Sequence, residues 1–126
     1  MRVTIQAQTE LPVFIPFNYS YQLSSVIYRL IEKSSPEYSE FLHDNGFFRE
    51  NRKFKLFTFS KLNFSPHIIT EKGFKGVRQI SFQFSTRMEK SFEHLILGIF
   101  SDKNFEFGRR EDPAIFEITH VETLKE

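Results

Sequence analysis

Apolar residues recur along this chain with two different periods, and the changes of period mark its elements. Val3, Ile5 and Ala7 alternate with Thr4, Gln6 and Gln8, which predicts a strand over 3–9. Leu11-Pro12 and Ile15-Pro16 then predict a connection over 10–17, because the residue before a proline is pushed towards extended backbone. Further on, Leu23, Val26, Ile27, Leu30 and Ile31 make one helical stripe, predicting a helix over 19–33 with Asn18 as its cap. Tyr28 lies off that stripe, roughly 130° from its centre and beside Tyr21 and Ser24. Core packing alone gives no reason for a tyrosine there.

Ser35-Pro36 predicts a second helix start, with serine as cap and proline in the first turn. Tyr38, Phe41 and Leu42 are its apolar face, and Asn45-Gly46 its stop, which puts His43 in the last turn. A polar, basic stretch over 47–53 follows. Lys55-Leu56-Phe57-Thr58-Phe59-Ser60 is apolar on both sides and predicts a central strand. Pro66, Gly73 and Gly76 predict a loop or short hairpin over 64–76. Ile80, Phe82, Phe84 and Thr86 alternate with polar residues in the clearest strand of the chain, over 78–86. Phe92, Leu95, Ile96 and Ile99 predict a helix over about 88–100. Phe105 and Phe107 suggest a short strand, Gly108 to Pro113 a turn, and 114–123 a last strand. Strand, helix pair, strand, strand, helix, strand is the ferredoxin-like βαββαβ plan: an α+β domain over 1–126, its antiparallel sheet covered by helices on one face.

Composition narrows the chemistry. Seventeen phenylalanines and no tryptophan point to a phenylalanine-rich core. Lys plus Arg is 17 and Asp plus Glu 16, so affinity for a nucleic acid would have to come from a local patch. The absence of cysteine removes disulfides, zinc–thiolate sites and thiol nucleophiles, and fits a cytoplasmic protein. The N-terminus has no apolar signal core, and no apolar run approaches the ~20 residues of a membrane span, so no membrane partner is expected. No phosphate-binding loop is present. His43, His67, His94 and His120 are scattered without metal-ligand spacing, so neither a metal nor another cofactor is expected, and the last three histidines read as structural or surface residues.

Three blocks carry a family resemblance. Ser24-Ser25-Val26-Ile27-Tyr28-Arg29-Leu30, Phe41-Leu42-His43-Asp44-Asn45-Gly46-Phe47 and Phe54-Lys55-Leu56-Phe57-Thr58-Phe59-Ser60 resemble, in order and spacing, successive motifs of the CRISPR-associated endoribonucleases of Cas family six. Pro16-Phe17-Asn18-Tyr19 and the strand near residue 80 are similar too, so the likeness covers nearly the whole chain. The resemblance implies a metal-independent cut of CRISPR repeat RNA, in which a ribose 2′-hydroxyl attacks the neighbouring phosphate. The products would be a 2′,3′-cyclic phosphate and a 5′-hydroxyl. It places the catalytic residues at Tyr28, His43 and Lys55. The residue types suit the reaction. Histidine exchanges protons near neutral pH, a lysine ammonium can hold the phosphorane's charge, and a tyrosine hydroxyl can donate or relay. His43 is expected to move the proton as base and Lys55 to stabilise charge, with Lys53 on the same strand face as its rival. Arg49, Arg52 and Lys53 are candidates for contacts with RNA phosphates.

Members of that family generally carry a second ferredoxin-like domain ending in a glycine-rich loop. This sequence contains one such domain and only 5 glycines, none in a run. The expected partners are therefore CRISPR repeat RNA, the missing C-terminal domain or a Cas effector complex, and through an uncovered face a second copy in a homodimer. Slow cleavage by this domain alone, or none, is expected. Two other readings stand beside the nuclease: a non-catalytic RNA-binding module of the CRISPR machinery, and a plain assembly domain. Gly76-Val77-Arg78-Gln79-Ile80-Ser81-Phe82 lacks the aromatic signature of RNA-recognition modules.

Overall fold

The computed structural model describes residues 1–45, 47–49, 52–54, 57–109 and 111–124, the side chains of 45, 47–49, 52–54 and 109 excepted. Its elements run β1 (Arg2–Pro16), α1 (Ser20–Ser34), α2 (Pro36–Glu40), a π-helical turn (Phe41–Asn45), β2 (Phe47–Arg49) and β3 (Arg52–Phe54). There follow β4 (Phe57–Phe59), β5 (Asn63–Ser65), β6 (Ile68–Ile69), β7 (Gly73–Thr86), α3 (Glu89–Ser101), β8 (Asn104–Arg109) and β9 (Asp112–Leu124). The main sheet is antiparallel throughout, in the order β4-β7-β1-β9-β8, with β5 and β6 also on the β7 edge. This is the ferredoxin-like plan, widened by β8 as an additional edge strand. The β2–β3 hairpin is a separate small ribbon.

One face of the sheet carries the core. Val3, Ile5 and Ala7 of β1, Phe82 and Phe84 of β7, and Phe116 and Ile118 of β9 are buried there against Leu23, Val26, Ile27, Leu30 and Ile31 of α1 and Leu95 and Ile99 of α3. The α1 stripe is therefore the one its periodicity predicts. Helices α1 and α3 cross closely at Gly98, where an added Cβ would lie 1.7 Å from the carbonyl oxygen of Leu30. The other face presents Gln79, Ser81 and Gln83 of β7, paired across the sheet with Gln8, Gln6 and Thr4 of β1.

Several boundaries differ from the sequence reading. The connection expected over 10–17 is the second half of β1. Pairing with β7 passes from Gln8↔Gln79 to Val13↔Val77, so residues 9–12 bulge out opposite the single residue 78. The bulge takes in Pro12, whose missing N–H then costs no ladder bond, and Pro16 stands at the strand end. Helix α1 begins at Ser20 with Tyr19, not Asn18, at the cap position and no side-chain cap. By contrast Ser35 caps α2 as expected, its hydroxyl accepting from the Tyr38 N–H at 3.2 Å.

The strand expected to be central, β4, is an edge strand. Phe57 and Phe59 both face the core side, opposite Thr86 and Phe84, whereas Thr58 is exposed. It is thus half-buried, which a run of apolar letters does not distinguish from burial on both faces. The expected hairpin over 64–76 is present as β6 paired with the start of β7.

A candidate site where the second helix meets the first

Tyr28 was expected to stand clear of the core, but it is half-buried. The reason lies outside its own helix. The short α2 folds back along α1, and its Ser39 hydroxyl donates to the backbone carbonyl of Tyr28 at 3.1 Å. Tyr38 and Ser91 Oγ join α2 to α3 at 2.6 Å, and the Tyr38 ring lies 5.0 Å from that of His94. His94 in turn shares a hydrogen bond with Ser34 at 2.8 Å, which accounts for it as a structural residue. Helix α2 is therefore fixed to both larger helices, and so is the turn that leaves it.

That turn delivers His43. In a π-helical turn each step winds through a smaller angle than in an α-helix, which re-aims the side chains that follow. The His43 ring meets the Tyr28 ring edge to face, with centroids 5.6 Å apart and planes at 77°. Phe57 of β4 approaches the same tyrosine at 5.8 Å and packs on Phe84 of the core at 5.5 Å. Three elements distant in sequence thus converge on Tyr28. His43 stays exposed, and its Nδ1 lies 3.1 Å from the Asp44 carboxylate. When Nδ1 carries the proton it donates to Asp44, which makes Nε2 the basic nitrogen.

A cavity of about 360 Å³ opens here, lined by Tyr28, Glu32, Pro36, Ser39, Glu40, His43 and Asp44. Its described lining holds three carboxylates and no lysine or arginine. Among the described residues no group of three or more metal-ligating side chains occurs.

The remaining candidates divide by position. Lys55 lies outside the described residues. Arg49, Arg52 and Lys53 belong to the β2–β3 ribbon, where Arg49 pairs with Arg52 and Phe48 with Lys53; their side chains are likewise outside the description. The structure brings Tyr28 and His43 together. His67 and His120 are exposed, the latter 3.7 Å from Glu122. Sequence reasoning passed over Ser39, Glu32 and Phe57. Glu32 was within reach, since it stands four residues from Tyr28 on the same flank of α1. Ser39 gave no such sign, because its partner is a backbone carbonyl on another helix.

Fold and site together define a ferredoxin-like α+β domain whose helices, not its sheet, present an aromatic–imidazole pair. The family model for the N-terminal region of the CRISPR-associated protein Cas6 matches residues 14–118, and the chain belongs to that family. A curated relative, CRISPR-associated endoribonuclease Cas6 1 of Methanocaldococcus jannaschii, is 30% identical over 112 residues, which are 88% of this chain and 42% of the relative. Among solved structures, a Cas6-related protein of Pyrococcus furiosus superposes with a TM-score of 0.75 at 26% identity, over 100% of this chain and 48% of that one. A CRISPR-associated protein Cas6 superposes with a TM-score of 0.70 at 27% identity, over 99% and 48%. A RAMP protein described as binding different RNA substrates shares the fold, with a TM-score of 0.71 at 20% identity. The chain thus spans less than half the length of the relatives it matches.

Proposed function

We propose that this chain supplies the catalytic half of an endoribonuclease that cuts CRISPR repeat RNA in its precursor transcript, with Tyr28, His43 and Lys55 as the reacting side chains. The observation that carries the reading is the convergence on Tyr28 of His43, from the turn after α2, and Phe57, two residues beyond Lys55 in sequence. Of the three, His43 is the exposed member and the Tyr28 hydroxyl oxygen is buried behind it, so a substrate approaching from solvent meets the imidazole first. In the proposed reaction His43 Nε2 takes the proton of the ribose 2′-hydroxyl, whose oxygen bonds to the adjacent phosphorus. The P–O5′ bond then breaks, leaving a 2′,3′-cyclic phosphate and, once the leaving oxygen is protonated, a 5′-hydroxyl. Lys55 offsets the charge gathering on the phosphorane without a metal ion, and the Tyr28 hydroxyl assists.

The test is cleavage of repeat RNA in EDTA. The wild-type chain is expected to cut slowly, because one domain holds only part of an RNA-binding surface. His43→Ala and RNA with a single 2′-deoxyribose at the cut position should both abolish the product. Cleavage that needs a divalent ion, or survives His43→Ala, sinks the reading.

One observation favours a second reading, an RNA-binding module that does not cut. Glu32, Glu40 and Asp44 line the cavity, and carboxylates repel a phosphate unless cations outweigh them. On the nuclease reading those cations are Lys55 and the Arg49, Arg52 and Lys53 of the ribbon. Binding of repeat RNA with no cut under any condition would decide for the module.

A further inference from the structure

At the far end of the β7 edge from Tyr28, a chain of aromatic rings reaches the surface. Tyr19 and Phe64 meet at 6.1 Å, Phe64 and Phe74 at 4.4 Å, and Phe74 and Phe17 at 5.2 Å. His67 closes on both Phe64 and Phe74, at 5.4 and 5.5 Å. The inner end is core: Tyr19 is buried, and its hydroxyl accepts from the Leu62 N–H at 2.9 Å. The outer end is not. Phe17 keeps 49% of its surface and Ile69, opposite Phe74, keeps 67%; His67 is exposed as well. A cluster that only sealed the end of the sheet would turn these groups inward.

Cations surround the exposed end. Lys72 lies in the turn whose backbone carbonyl accepts from the Phe17 N–H at 3.2 Å, Lys75 is paired with Ile68, and Arg78 is exposed further along β7; Glu71 is the acid of that turn. The ledge is rigidly seated. Gly73 lets β7 pass so close to β1 that an added Cβ would lie 2.3 Å from the Ile15 carbonyl oxygen.

We propose that Phe17, His67 and Ile69 form a stacking ledge for an unpaired base of an RNA strand, with Lys72 and Lys75 contacting the flanking phosphates. Exposed rings beside lysines are the chemistry that holds single-stranded nucleic acid without reading its sequence. The position suits a strand that also visits Tyr28. Phe57 pairs at Thr86 and Ile69 at Phe74, so both sites border one edge of β7 on the helix side of the sheet, roughly 30–40 Å apart at the rise of a strand. The choice of RNA as ligand rests on the function proposed above.

The experiment uses an uncleavable probe, so that its failure and the failure of the nuclease reading are separate. The probe is a short fluorescent 2′-O-methyl oligoadenylate, with an abasic strand of the same length as control. Phe17→Ala is expected to weaken binding of the oligoadenylate about tenfold or more. Phe17→Tyr should bind as wild type, and the abasic strand should not distinguish wild type from Phe17→Ala. His67→Ala, at an exposed position, gives a second reading, and a thermal melt checks both variants. Equal affinity of Phe17→Ala and wild type overturns the ledge. So does a wild type that fails to bind the oligoadenylate, or a wild type that self-associates through this surface and is made monomeric by Phe17→Ala.

Discussion

The buried hydroxyl of Ser39 donates to the main-chain carbonyl of Tyr28, so the helix that leads to His43 is anchored at the residue His43 faces. A carbonyl inside α1 has a helical partner already, so this contact locates α2 more than it satisfies α1. Ser39→Ala should cost about 1 kcal/mol of stability, seen as a melting midpoint lower by ~4 °C. On the nuclease reading it should also lower the single-turnover cleavage rate more than it lowers RNA affinity. A variant that loses stability and leaves the rate untouched would show that the anchor does not position His43.

Tyr28→Phe separates the ring from its hydroxyl. The ring contacts with His43 and Phe57 survive the change, so any drop in the melting midpoint reports the buried hydroxyl alone. The cleavage rate at saturating RNA should fall by ~100-fold, the loss expected when one donor to a charged transition state is removed. Unchanged turnover would reduce Tyr28 to a packing residue.

Gly98 and Gly76 should respond differently to substitution. At Gly98 the obstacle is the Leu30 backbone, so Gly98→Ala and Gly98→Asn should both cost at least 1–3 kcal/mol. At Gly76 an added Cβ meets nothing within 4 Å, but φ is +77°. Gly76→Ala should therefore cost only ~1 kcal/mol, and Gly76→Asn, which tolerates the left-handed region, less. Urea midpoints of the four variants give the comparison. Equal responses at the two positions would contradict the close crossing of α1 and α3.

The ribbon cations are tested through the salt dependence of RNA binding. If Arg49, Arg52 and Lys53 each contact a phosphate of single-stranded repeat RNA, changing all three to glutamine should reduce the slope of log affinity against log salt by about 2. The cut position should not move. A slope equal to that of wild type would take these residues out of the RNA interface.

How far the sequence spoke for itself varied with the kind of interaction. The α1 stripe and the alternation in β7 were legible because each periodicity records burial against one large neighbour. The Ser35-Pro36 start was legible because a cap is a local affair. Misreadings arose where a distant segment decided the outcome. Pro12 and Pro16 argued for a loop over 10–17, yet Val13 and Ile15 rejoin β7 after a bulge that only the partner strand defines. Tyr28 looked solvent-facing because the letters around it cannot show that α2 doubles back across that flank. The pairing of Tyr28 with His43 was suggested by family likeness and had no local signature, since it depends on a π-helical turn. The edge position of β4 was likewise invisible, because Phe57 and Phe59 face one side and the run carries no mark of which neighbours are missing.

The β7 border of the sheet has a consequence for behaviour in a crowded solution. It is occupied by β4, β5 and β6, three pieces of 3, 3 and 2 residues with chain turning away between them. Among the described residues an incoming strand finds no continuous row of open peptide groups to copy, only short runs that end before a cooperative ladder can grow. A border broken in this way discourages runaway chain-to-chain addition. It does so without a charged gatekeeper on Phe57, Phe59 or Phe64, leaving those positions to serve the core and the site beside it.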